Sequence, residues 1–525
     1  MRSTADWPTR DPLTHRRETS PERTAVIDVE SDERWSYREF DRRVDRLASA
    51  LESALETPRL ESSDDTGASS DRVAVLMETR PAFASLVFAA MRTGRVLVPL
   101  NVRETPSELA SKLERTDPDA VICEAETESL AASSTDRPIF SVDRPSDSTP
   151  EPVGSLSQED GGAAAAPDPV SLERDDPFLI MFTSGTSGEP KGVRLTVGNL
   201  LASATASAFR LGVLPSDRWL CCLPMYHMGG LAPVVRSALY GTALVVQRDF
   251  DPVETARVVE EYDVTGVSLV PTMLTRMLEA GWREPDSLRF VLLGGAPASN
   301  ELLERARGAG VPAYPTYGMT EAASQISTAT PEQARSHEGT VGQPLVVTDV
   351  TVVGDDGTPL APGESGEIVV SGPTVTPGYL EAGHTDAAFG AHGLHTGDIG
   401  YRDREGRLWV LNRRSDRIVT GGENVDPGEV VDVLRAHPQV DETAVVGLSD
   451  PEWGERVGAL VVPTEPAAVT ADDLLEFCDG RLAGFKRPKT IGFADELPRT
   501  ASGTVDREVV RELLRDEGTD VASLE

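Results

Sequence analysis

At 525 residues the chain is too long for one hydrophobic core, so two or more domains are expected. Its 50 basic residues against 86 acidic ones leave a net charge of −36, which argues against nucleic-acid or anionic-membrane binding. Hydrophobic residues make up 39% of the chain and no apolar run approaches membrane-spanning length, so no membrane insertion is expected.

The opening, MRSTADWPTRDP, has no apolar core of a secretory signal. Cys123, Cys221, Cys222 and Cys478 show no metal-ligand spacing and read as core thiols in a reducing compartment. The expected location is therefore cytoplasmic. Residues 35–56 read as an amphipathic helix, with Ser36 and Glu39 as a capping box and Phe40, Val44, Leu47, Leu51 and Leu55 at helical spacing. Residues 58–71 are a polar insertion. Apolar runs then begin at Val73, Val96 and Ala120 and alternate with helix-length segments, which predicts βαβ units in a largely parallel sheet, an α/β fold. Residues 143–176, rich in Pro, Ser, Asp, Glu and Ala, are expected to be a solvated loop.

The run FLIMF leads into TSGTSGEPKGV, residues 183–193. Three glycines allow close backbone approach to a ligand, and free N–H groups and hydroxyls form an anion nest. Thr183, Ser184, Gly185, Thr186, Ser187 and Gly188 would cradle a polyphosphate, and Lys191 would add a point charge. The spacing is not that of a Walker A loop. This segment resembles the phosphate loop of the adenylate-forming superfamily, which includes acyl-CoA synthetases, luciferases and peptide-synthetase adenylation domains. Those proteins usually read SGTTGxPKG, so Ser187 is a mild departure. The resemblance implies a large N-terminal α/β domain, a small mobile α+β C-terminal domain, and ATP, Mg²⁺ and coenzyme A as ligands.

Further motifs follow in the family's order. In MYHMGGL, His227 is by itself an ambiguous histidine; the resemblance puts it beside the substrate carboxylate, gating the acyl pocket. Arg236, in the otherwise apolar run LAPVVRSALYG, is either a helix-surface arginine or a bidentate partner for a second substrate carboxylate. FVLLGGAP reads as a buried strand running into a turn, and the resemblance places Gly295, Ala296 and Pro297 against adenine. YPTYGMTEA matches the family's YGxTE motif. It implies that Tyr317 and Gly318 meet adenine, that Thr320 donates to the α-phosphate and that Glu321 holds Mg²⁺. The continuation ASQIS, with Gln325 as a substrate-side candidate, most resembles the 2-succinylbenzoate–CoA ligases of menaquinone biosynthesis. GEIVVSGPTVTPGY and HTGDIGY come next; Asp398 of the latter, with Arg413, would contact ribose. Ser415 and Asp416 fall at the family hinge, and Gly421, Gly422 and Glu423 would line the pantetheine tunnel.

One position breaks the pattern. The family's last motif, PRTxSGK, ends in a lysine that bridges the substrate carboxylate and the α-phosphate; here LPRTASGT puts Thr504 in its place. Lys486 and Lys489, just upstream, are either surface residues or substitutes that reach the site. They belong to a set of only four lysines, with Lys112 and Lys191, and an acidic surface so poor in lysine resembles the proteins of salt-accumulating halophiles.

The expected organisation is an adenylation and acyl-binding domain over 1–413, a hinge at 414–416 and a swinging domain over 417–525. The expected activity is ATP-dependent acid–CoA ligation through an acyl-AMP, with 2-succinylbenzoate as the acid. A medium-chain fatty or aryl acid–CoA ligase, a carrier-loading enzyme and a non-catalytic nucleotide-binding relative are the alternatives. Oligomeric state, a homo-oligomer included, is left open.

Overall fold

The computed structural model describes residues 10–55, 71–144, 154–156, 169–183, 190–283, 287–413, 418–420, 423–425, 427–451, 453–464, 469–479, 481–499 and 505–521. The chain forms two compact units: Met1–Val350 with Val370–Leu394, and Thr351–Val369 with His395–Glu525.

The first unit contains two large sheets, and both are parallel through their centres, as the alternating pattern predicts. In the nine-stranded sheet the successive neighbours Ala313–Met319, Phe290–Leu293, Gly266–Leu269, Arg218–Cys221, Ala243–Val246 and Thr24–Asp28 all run parallel. Their short β-branched and aliphatic runs are buried on both faces, the signature of parallel strands under helical layers. The eight-stranded sheet has Val96–Pro99, Arg72–Leu76, Ala120–Cys123 and Ile139–Ser141 at its parallel centre, with Pro177–Thr183 beside Val96–Pro99.

The helix expected over 35–56 runs Tyr37–Leu55. Glu39 accepts from the Ser36 N–H at 2.8 Å and returns its own N–H to the Ser36 hydroxyl at 3.3 Å, so the capping box forms. Trp35 falls outside the helix because Arg34–Ser36 is an edge strand antiparallel to Thr24–Asp28. Within 143–176, Gly154–Ser155 adds a strand parallel to Ile139–Ser141 where only loop was expected. So short an edge strand takes its order from its neighbour's hydrogen bonds and leaves no apolar signature. Residues 145–153 and 157–168, like the insertion at 56–70, lie outside the described residues.

A charge cluster ties helices of this unit together. Arg92 is 1% exposed and reaches Asp41 at 2.8 Å, Asp11 at 3.2 Å, and Asp45. Removing one partner of such a group strands the others in low dielectric. Arg92→Met is expected to cost about 3–5 kcal/mol in urea unfolding at constant salt; an unchanged midpoint would show the cluster to be dispensable.

The second unit carries a sheet of Glu423–Val425, Ile418–Thr420, Gly454–Pro463, Thr490–Phe493 and Thr519–Asp520, with Val440–Asp450 also pairing Gly454–Pro463. Val430, Leu434, Leu474 and Cys478 from the helices Pro427–Arg435 and Ala471–Cys478 join one core cluster. Val510 and Leu514 from Arg507–Glu517 join a separate one. All four cysteines are free and buried; burial pushes the Cys222 thiol up to about 12, so it is an inert core group. Among the described residues no helix is long and apolar enough to cross a membrane.

Candidate active site

Strand Pro177–Thr183 pairs antiparallel with Lys191–Thr196, with Thr183 opposite Lys191, so the glycine-rich segment joins the two strands of a hairpin. Ser184, Gly185, Thr186, Ser187 and Gly188 lie outside the described residues. Arg115 braces the hairpin's exit. It donates to the Pro190 carbonyl at 2.8 Å and to Glu381 at 2.6 and 2.9 Å, with its guanidinium 5.1 Å from the Phe182 ring centre. Burial pushes the Glu381 carboxyl up, but the bonds and charge of Arg115 outweigh it and hold the group below the ordinary carboxylate value.

Several other candidates follow the carboxyl ends of neighbouring parallel strands in the nine-stranded sheet, where ligands of open α/β sheets bind. His227 comes after Arg218–Cys221 at the N-cap position of the helix Met228–Tyr240, without a side-chain capping bond, its ring 4.9 Å from that of Tyr226. It reaches solvent, yet desolvation, with the charges of Lys112 and Arg103, lowers its pKa and favours the neutral imidazole. Gly295 follows Phe290–Leu293 with φ +83°, beside half-buried Ala296 and exposed Pro297.

Tyr317 and Gly318 lie on Ala313–Met319, which runs antiparallel to Ser324–Thr328. A Cβ at Gly318 would stand 1.7 Å from the Ser324 carbonyl oxygen, so only glycine fits there. Thr320 and Glu321 occupy the tight turn Thr320–Ala322, and Ala323 and Ser324 leave it at φ +51° and +112°. Such backbone is costly for residues with a Cβ, and strain of this kind clusters at functional sites. Gln325 is buried: its Nε2 donates to Thr328 Oγ1 at 2.8 Å, while its Oε1 has no hydrogen-bond partner among the described residues.

Glu321 is 6% exposed and accepts a 3.0 Å hydrogen bond from the Tyr379 hydroxyl. The same tyrosine ring lies 5.5 Å from Lys191 Nζ. Lys191 and Glu321, the residues expected at phosphate and metal, thus share one neighbouring side chain. Tyr379 had no part in the sequence-based site, although it ends the GEIVVSGPTVTPGY segment. Among the described residues no group of three His, Cys, Asp or Glu could hold a metal ion. The buried carboxylate of Glu321 nevertheless suits Mg²⁺, which takes one or two carboxylates and completes its shell with phosphate oxygens and water.

Arg236 is not a helix-surface arginine, the alternative that its position suggested. It is among the largest fully buried side chains, its guanidinium 5.3 Å from the Trp219 ring centre. Among the described residues its Nε and one terminal nitrogen have no hydrogen-bond partner, and burial lowers its pKa. An unpaired buried guanidinium is costly. A carboxylate ligand would offset that cost.

In the second unit, Asp398 and Arg413 face each other across Gly393–Arg402 and Leu408–Arg413, with Nε 2.8 Å from Oδ1. The Asp398 N–H donates to the Thr396 hydroxyl at 3.1 Å, within the strand. The two residues expected at a ribose are therefore brought together. Lys486 pairs with Glu429 at 2.6 and 2.8 Å. Lys489 donates its backbone N–H to Val457 at 2.7 Å, just before strand Thr490–Phe493. Ser415, Asp416, Gly421, Gly422 and Thr504 lie outside the described residues, and Glu423 opens the strand Glu423–Val425.

Comparison with known proteins bears on this arrangement. The model for the AMP-binding enzyme family matches residues 13–380, and that for the AMP-binding enzyme C-terminal domain matches 429–504. The 2-succinylbenzoate–CoA ligase of Bacillus licheniformis is 37% identical over 501 residues, covering 94% of this chain and 98% of its own. That of Geobacillus kaustophilus is 40% identical over 452 residues, covering 85% and 88%. Among solved structures, the o-succinylbenzoate CoA synthetase MenE of Bacillus subtilis, in complex with the acyl-adenylate intermediate OSB-AMP, superposes with a TM-score of 0.83 at 34% identity, covering 96% of this chain and 98% of its own. ATP-bound MatB from Rhodopseudomonas palustris gives 0.84 at 28% identity, covering 96% and 99%. The chain belongs to the AMP-binding enzyme family, and both the main and the C-terminal domain models match it.

Proposed function

We propose that the chain is an AMP-forming acid–CoA ligase whose acid is 2-succinylbenzoate. A carboxylate oxygen attacks the α-phosphorus of ATP, the bond to pyrophosphate breaks, and an acyl-AMP forms. The CoA thiol sulfur then attacks the acyl carbonyl, losing its proton, and AMP leaves with the C–O bond electrons. Bound Mg²⁺ would neutralise phosphate charge during the first step. The chain's own work is positioning and charge stabilisation. In this reading Lys191 and the hydroxyl-rich loop bind phosphate, Thr320 donates to the α-phosphate, and Glu321 takes the metal. Tyr317 and the Gly295–Pro297 turn take adenine, Asp398 and Arg413 take ribose, and neutral His227 borders the acyl group. Ser415 and Asp416 would let the C-terminal domain swing between half-reactions, bringing Gly421, Gly422 and Glu423 to the pantetheine.

The observation that carries the diacid is Arg236. A monoacid would leave its guanidinium buried without an anion, whereas the second carboxylate of 2-succinylbenzoate supplies one. The names of the relatives point the same way. Acid-dependent exchange of labelled pyrophosphate into ATP, without CoA, tests the first half-reaction. Exchange should appear with 2-succinylbenzoate and vanish without acid; its absence with every acid would favour the non-catalytic reading, which Thr504 supports.

A cytoplasmic enzyme of a halophile fits the acidic, lysine-poor composition. At −36 the surface repels itself, and concentrated cations screen that repulsion. Raising KCl from about 0.1 to about 2 M, through the range where the Debye length falls below about 3 Å, is expected to raise the melting temperature. A melting temperature that falls or stays constant would contradict the halophilic reading.

A further inference from the structure

We propose that Tyr379 is a positioning residue that holds the metal carboxylate Glu321 and the phosphate lysine Lys191 in fixed relation, and so sets the affinity for magnesium-complexed ATP. The inference rests on the adenylating reading above and gives a part to a side chain which that reading leaves unused.

The three residues come from separate pieces of chain: Lys191 opens Lys191–Thr196, Glu321 lies in the turn Thr320–Ala322, and Tyr379 ends Gly378–Tyr379. Tyr379 is 5% exposed, with its hydroxyl 3.0 Å from Glu321 Oε1 and its ring centre 5.5 Å from Lys191 Nζ. Each contact suits its partner. An O–H donor favours an ionised carboxylate and limits its rotation. An aromatic face attracts an ammonium without neutralising it, as an acidic side chain would. Among the described residues Lys191 has no ion pair, despite the chain's 86 acidic residues, so its charge is kept for a ligand.

The tyrosine is itself immobilised. Gly378–Tyr379 pairs antiparallel with Lys191–Thr196, with Tyr379 opposite Val193. The Tyr379 N–H donates to the Thr385 hydroxyl at 2.8 Å, and the Leu380 N–H to the Gly192 carbonyl at 2.7 Å. Upstream, the Thr376 N–H donates to the carbonyl of Glu321 itself at 2.7 Å. Gly378 permits this close passage: its φ is +144°, and a Cβ would meet Thr385 at 2.6 Å. The segment is thus stitched to both the lysine's strand and the carboxylate's turn, and its phenol touches both functional groups.

Calorimetric binding of ATP to the full chain in concentrated KCl, with and without Mg²⁺, tests the proposal. Tyr379→Phe keeps the ring and deletes the hydroxyl. Its Kd with Mg²⁺ should rise about threefold to tenfold, the usual range for losing a hydrogen bond to a charged group. Its Kd without Mg²⁺ should stay at the parent value. Tyr379→Leu also removes the ring and should weaken both. In a Glu321→Gln background, Tyr379→Phe should add no further magnesium-dependent loss, because the carboxylate charge that the hydroxyl positions is already gone. Glu321→Gln alone must show a magnesium-dependent loss at least as large as that of Tyr379→Phe, a readout that leaves the tyrosine intact. Parent-like binding by Tyr379→Phe in both media, equal weakening in both, or full additivity with Glu321→Gln would overturn the proposal. A parent chain that binds Mg·ATP but releases no pyrophosphate with any acid would instead sink the catalytic reading and leave this binding test in force.

Discussion

Glu321→Gln is expected to lower acid-dependent pyrophosphate release by about a hundredfold to a thousandfold, the range seen when one preorganised transition-state contact is lost. The substitution is close to isosteric, and its amide oxygen still accepts from the Tyr379 hydroxyl, so the turn Thr320–Ala322 and its strained exit should persist. What disappears is a buried negative charge, the feature that a hard cation requires. Transfer of a preformed acyl-adenylate to CoA needs no triphosphate and should remain within about threefold of the parent, well inside one factor of ten or 1.4 kcal/mol. A coupled pyrophosphate assay beside a single-turnover thioester assay separates the two. Equal losses in both would show that Glu321 supports the fold rather than the first half-reaction.

Arg236→Met should change function and stability in opposite directions. In the free protein the guanidinium is buried beside Trp219, with two nitrogens lacking hydrogen bonds among the described residues. Replacing such a charge with an apolar side chain of similar length removes a desolvation cost, so the melting temperature should stay level or rise. The same change removes the anion partner. The KM for 2-succinylbenzoate should rise about a hundredfold, equivalent to a charge-assisted contact of about 3 kcal/mol, while the KM for a monoacid such as benzoate moves little. Equal effects on diacid and monoacid would refute Arg236 as the second-carboxylate partner. A variant that melts far below the parent would refute the claim that its charge is unpaired.

Much of this was legible in the sequence because parallel strands buried on both faces appear as unbroken apolar runs. FVLLGGAP marks a strand in the structure, Phe290–Leu293, with Gly295 beyond it at φ +83°. The YGMTE segment was legible because a close approach demands a particular residue: a Cβ at Gly318 would lie only 1.7 Å from the Ser324 carbonyl oxygen. Long-range relations were not. Tyr379 meets Glu321 across 58 residues, and Arg115 meets Glu381 across 266, and no local periodicity encodes either pairing. Arg236 misleads for a related reason. A single arginine in an apolar helix reads as a surface residue unless one knows that Trp219, from a strand of the adjoining sheet, covers it. Thr504 is the converse case: a departure visible in the sequence alone, at a position outside the described residues.

The most direct measurement is mass-spectrometric detection of the CoA thioester after incubating the chain with Mg·ATP, CoA and 2-succinylbenzoate in concentrated KCl, with hexanoate and benzoate in parallel. The account predicts succinylbenzoyl-CoA forming far faster than either other thioester, and with it that Thr504 is compatible with turnover. Hexanoyl-CoA or benzoyl-CoA forming as fast or faster, or no thioester from any acid while ATP still binds, would contradict it.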